Sequence, residues 1–178
     1  NEYLADVPRI GHDPGAFLST FVAHGPQLTA ATRQHPPLPV LLLWAAGRAG
    51  LHRPAAIGIA ITLVGALVTP LVAIAMRSLS GELAARRLAP VLALAPYAIW
   101  LAVSMDAITA ALGAAFVACG VLASERGRPA LSRLLWAAVC GLLIGTAALF
   151  SYSVAWLGVS VLCVYFVRRR PLLPAASG

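Results

Sequence analysis

The chain has 178 residues, 60% of them hydrophobic and only 11% charged, a balance that excludes an ordinary soluble domain and points to a membrane protein. Its formal charge of +7 comes from arginines grouped between apolar runs, with no lysine. That spacing argues against nucleic acid as a partner and for the positive-inside bias of a polytopic protein. The expected fold is all-α: a polytopic transmembrane helix bundle of about five spans, with an external loop carrying short membrane-surface helices.

Residues 1–53 read as that external loop, 54–170 as the transmembrane bundle and 171–178 as a tail. Asp13-Pro14 is an N-cap followed by proline at the first helical position, and Phe17, Leu18, Phe21 and Val22 then recur at helical spacing up to Gly25. About ten residues cannot cross a bilayer, so this helix is expected on the membrane surface with its aromatic face among the headgroups. A second short helix is predicted over 36–49. At ~1.5 Å of rise per residue it covers roughly 20 Å, short of a hydrocarbon core of roughly 30 Å. Its approach, Arg33-Gln34-His35-Pro36-Pro37-Leu38, places two basic side chains beside a proline-primed helix start. Open N–H groups and the positive end of the helix dipole favour an anion there, so Arg33 and His35 are candidate phosphate ligands.

Spans are predicted at about 55–76, 88–104, 107–123, 134–150 and 154–167. Pro70 and Pro96 are expected kinks, Gly58 and Gly65 points of close helix approach, and Tyr97 and Trp100 interface anchors. A turn at Ser151-Tyr152-Ser153 divides the last apolar run. The loops 77–87, 125–133 and 168–170 hold three arginines each, whereas the turns near Asp106 and Tyr152 hold none. The arginine-rich loops are therefore assigned inside and residues 1–53 outside. The start at Asn1 shows no signal-peptide pattern, and the expectation is the N-terminal fragment of a longer polytopic protein.

Cys119, Cys140 and Cys163 fall inside apolar runs without metal-ligand spacing and read as small hydrophobes. Glu2, His12, Asp13 and His24 match no compact ligand motif, so no metal site is assigned. Asp106 opens a span on the same side as Glu2, Asp6, Arg33 and His35, which suggests one shared external cavity.

In that order, Asn1-Glu2-Tyr3, His35-Pro36-Pro37-Leu38 and Ser104-Met105-Asp106-Ala107, followed by Gly141 to Phe150, resemble the multi-span GT-C glycosyltransferases that use polyprenyl-phosphate sugars. This is the protein O-mannosyltransferase-like superfamily, also called glycosyltransferase family 39, which includes the lipid A aminoarabinose transferases. The resemblance implies transfer of a sugar from a polyprenyl-phosphate donor to an acceptor hydroxyl at the external face of a bacterial plasma membrane. It implies Asp106, Glu2 and Asp6 as catalytic carboxylates, and Arg33 and His35 on the donor phosphate. The lipid-linked sugar is then the donor substrate, with no separate cofactor, and membrane lipid is the other partner. The family's leading Asp would fall at or just before Asn1, so either it precedes this fragment or Asn1 replaces it, and the chain departs from the family at Ser151-Tyr152-Ser153, where many relatives have a lysine. The rival readings are a non-catalytic membrane assembly subunit or a transporter fragment, the latter disfavoured by spans nearly free of charge.

Overall fold

The computed structural model describes residues 2–96, 99 and 104–169. Among these the chain is all-helical, without a strand. Three helices are long and apolar enough to cross a membrane: Pro54–Ser80, Asp106–Ala123 and Ala130–Ala148.

The N-terminal third is a set of short helices: α1 (Tyr3–Asp6), α2 (Pro14–Thr20), α3 (Ala30–Gln34) and α4 (Leu38–Arg48), with 3-10 turns at Val7–Ile10 and Gly25–Gln27. Asp13 caps α2, its Oδ1 accepting from the N–H groups of Gly15 at 2.9 Å and Ala16 at 3.0 Å. The aromatic face of α2 turns inward: Phe17 packs with Ile10, Leu28 and Val40, and Phe21 stacks edge-on against Phe17. Leu18 and Val22 are the exposed apolar residues instead. The aromatic rings find more apolar area against α4 than on the outer face, where two aliphatic side chains remain. Trp44 of α4 ties this layer together by donating its indole N–H to the Gly11 carbonyl at 3.0 Å.

Helix α4 starts at Leu38, two residues later than the proline-rich approach predicts. His35 precedes a proline and is accordingly extended, with φ −121° and ψ 159°. The start of α4 is turned inward, since Pro36, Pro39 and Val40 are buried.

The bundle begins with α5 (Pro54–Ala66) and α6 (Val68–Ser80), two halves of one long helix with a turn at Leu67. Pro70 has no N–H to offer the carbonyl of Ala66, which places the interruption one turn upstream of the proline. Residues 77–87, expected as a loop, are mostly helical: α6 runs to Ser80, and α7 (Glu82–Ala93) follows directly. Gly81 makes the reversal with φ 89° and ψ 171°, a backbone conformation that only glycine adopts readily. Alanine, leucine, glutamate and arginine are good helix formers, so the charge cluster lies on a helix surface rather than in an open loop. α7 ends at Ala93, ahead of Pro96, and Tyr97 and Trp100 lie outside the described residues.

α8 (Asp106–Ala123) is the central helix, flanked by α9 (Ala130–Ala148) and α10 (Ala155–Arg169). α9 ends just before Leu149, and a 3-10 turn at Tyr152–Val154 leads into α10. Small residues set the approach distances. A Cβ on Gly65 would stand 2.9 Å from Ala107 Cβ, one on Gly113 2.7 Å from Leu157 Cδ1, and one on Gly120 2.4 Å from Val161 Cγ1. Such contacts are how helices associate where lipid removes most of the hydrophobic drive. They also show that α6 and α10 both run parallel to α8, because Ala75 meets Ala118 and Val121 further along.

The two ends of the bundle differ in chemistry. At one, Leu43, Ile57, Ile61, Met105, Ala107 and Phe150 form a buried cluster under Tyr3 and Leu38. At the other, Arg168 donates to Ser78 Oγ at 3.2 Å, the Val121 carbonyl at 3.2 Å, Ser124 Oγ at 3.1 Å and the Ser78 carbonyl. One guanidinium therefore satisfies the carboxyl-terminal ends of α6 and α8 from the last turn of α10, where a cation also suits the helix dipoles. Outward faces are strongly apolar, with Leu142 72% and Trp156 76% exposed. Patches of that kind need a membrane or another helix against them.

Candidate functional site

Tyr3 is the centre of the site. Its ring meets the His35 imidazole edge-on, with centroids 6.1 Å apart at 70°. Burial pushes its phenol above the ordinary value, and the negative charges of Asp106 and Glu2 push it further. Tyr3 is thus a neutral hydroxyl with one imidazole against its ring and two carboxylates acting on its oxygen. α1, the α3–α4 junction and the start of α8 together position these groups over the Met105–Ala107 cluster.

Asp106 is exposed at the first turn of α8. Ser104 orients it: the Ser104 hydroxyl donates to Asp106 Oδ2 at 3.1 Å and accepts from the Asp106 N–H at 3.2 Å. Glu2 is exposed as well. A carboxylate held from one side and open on the other can take a proton from a bound hydroxyl. His35 donates through Nδ1, since its partner 3.0 Å away is the Ala31 carbonyl, which can only accept. That leaves Nε2 as the ring nitrogen without a hydrogen bond among the described residues.

The other predicted residues take different positions. Asp6 has 1% of its surface exposed and is enclosed by donors: the Thr29 N–H at 2.9 Å, the Thr29 hydroxyl at 2.7 Å and Arg9 Nε at 3.2 Å. It clamps α1 to the start of α3 and has no open face for a substrate. Arg33 is exposed in the last turn of α3 and makes no ion pair among the described residues. The start of α4 offers less than expected to an anion, because Pro39 has no N–H and Val40 is fully buried. An anion at this end would therefore meet the side chains of Arg33 and His35 rather than helix N–H groups. His12, Asp13 and His24 line a separate cleft of about 610 Å³ with Arg9, Phe17 and Phe21. There Asp13 serves as the α2 cap and His24 Nδ1 bonds the Thr20 carbonyl at 3.1 Å.

Sequence reasoning missed Tyr3 and Ser104 as functional groups. Ser104 carries a usable signal, a hydroxyl two residues ahead of an acid that opens an apolar run. Tyr3 carries none, because its partners lie at distant points of the chain. Comparisons with family models, with characterised proteins and with solved structures find no match for this chain.

Proposed function

We propose that the chain belongs to an integral-membrane glycosyltransferase of the GT-C type, crossing a bacterial plasma membrane about five times within residues 54–170, with residues 1–53 external. The reading is that it moves a sugar from a polyprenyl-phosphate donor to an acceptor hydroxyl. The observation that carries it is the contact of Tyr3 with His35 over the Met105–Ala107 start of α8, where the exposed Asp106 opens the helix, at the end of the bundle away from Arg168. Charge bias puts the arginine end inside, which leaves the acidic end outside with the donor headgroup.

The chemistry follows from those groups. The acceptor oxygen forms a bond to the anomeric carbon while the carbon–oxygen bond to the phosphate breaks. The electron pair leaves with the polyprenyl phosphate, and Asp106 or Glu2 takes the acceptor proton. Arg33, with His35 beside it, stabilises the charge that builds on the departing phosphate. In intact protein, Asp106→Asn is expected to slow transfer from a labelled polyprenyl-phosphate sugar by about 10²-fold or more, the usual worth of a general base. His35→Ala is expected to slow it less. Unchanged rates for both variants at normal expression would overturn the proposal.

A non-catalytic assembly role is the second reading, favoured by the exposed apolar faces of α9 and α10, which suit contact with further helices. It predicts that loss of a co-purifying membrane partner follows substitutions on those faces, with no transfer activity at all.

A further inference from the structure

At the arginine end of the bundle a cleft of about 630 Å³ opens between the ends of α6, α8 and α10 and the loop that joins α8 to α9. Ser78, Ser124, Glu125, Arg126, Arg128 and Arg168 line it, giving a formal charge of 3 − 1 = +2. The single acid is already engaged, since Glu125 accepts from the Ser78 hydroxyl and pairs with Arg128 Nε. Burial pushes the Glu125 carboxyl up, but these hydrogen bonds and the charges of Arg128 and Arg168 outweigh it and keep the group ionised.

Arg128 and Arg168 retain unused capacity among the described residues. Arg128 spends only Nε on Glu125, so both of its terminal nitrogens remain as donors, and an arginine carries five N–H groups in all. Arg168 is bonded to hydroxyl and carbonyl oxygens and shares the single Glu125 charge with Arg128, so the two arginines face one acid. Beside them, Val167 lines the cleft and is 74% exposed, and Phe166, its neighbour in the chain, is 61% exposed. A cationic recess with an apolar wall next to it matches a phosphate group that has acyl chains attached.

We propose that this cleft binds the phosphate of an anionic phospholipid, with an acyl chain leaving past Val167. Basic recesses between helix ends on the cytoplasmic side hold lipid headgroups in this way. The inference rests on the inward orientation of the arginine loops proposed above, and it does not depend on glycosyl transfer.

The test uses the full chain in mixed micelles of phosphatidylglycerol and phosphatidylcholine, with native mass spectrometry counting the lipid retained and no donor sugar present. Wild type is expected to retain phosphatidylglycerol in preference. Arg128→Gln should reduce that preference about fivefold, since a basic residue near an anionic surface contributes on the order of 1 kcal/mol. Arg128→Lys should keep most of it, and Arg53→Gln, outside the cleft, all of it. Displacement by excess inorganic phosphate would support phosphate recognition with the free ion as a possible source, and resistance to it would support the lipid. Equal retention of both lipids by wild type, or equal losses in Arg128→Gln and Arg53→Gln, would overturn the proposal. Transfer activity is read separately, so failure here leaves that assignment standing.

Discussion

Burial alone pushes the Asp6 carboxyl up, yet hydrogen bonds from Thr29 and Thr32 and the charge of Arg9 outweigh it and hold the group below the ordinary carboxylate range. A group depressed in the folded state contributes stability above its unfolded value and loses that contribution as pH falls through the folded value. The N-terminal helices are therefore expected to open on acidification below roughly pH 4, the ordinary carboxylate range. Asp6→Ala should open them already at neutral pH, costing about 2–4 kcal/mol by leaving buried donors unpaired. Hydrogen exchange of residues 2–34 measures both effects, and protection unchanged in the variant would contradict the clamp. Glu2, Asp6 and Asp106 look equally available in the sequence. Thr29 stands 23 residues after Asp6, so neither the clamp nor the burial that separates these three acids is visible until the chain folds.

Apolar run lengths made most helices legible, and the Asp13-Pro14 pair predicted the start of α2 to the residue. Boundaries set by competition were harder to read. Arginine clustering suggested a loop at 77–87, but helix propensity and the single reversal at Gly81 make it two helices joined end to end. The position of a close approach depends on packing as much as on composition, as α8 shows. Gly120→Ala is expected to cost about 1–3 kcal/mol, because its Cβ would press on Val161, a branched side chain with little room to shift. Gly141 meets nothing within 4 Å, so Gly141→Ala should be neutral or stabilise α9 by up to about 1 kcal/mol. Thermal unfolding in detergent distinguishes the two, and equal melting temperatures would mean that α8 and α10 do not pack as described.

For the whole molecule, composition established the helical, membrane-associated character, and three helices have the length and apolarity to span. The orientation remains a charge argument with a direct test. In a Cys163→Ser background, Val22→Cys is expected to react with a membrane-impermeant maleimide on intact cells, and Gly127→Cys only after permeabilisation. The opposite pattern would invert the topology and place residues 1–53 inside. The bond pattern of Arg168 has a consequence for either orientation. The three helices laced together by polar bonds at one tip are joined at the other by apolar packing, so the two ends answer to different solvents: competing hydrogen-bonders loosen the first and apolar solutes the second. Asp106 lies at the apolar-packed end, opening α8 directly beside the buried Met105 and Ala107.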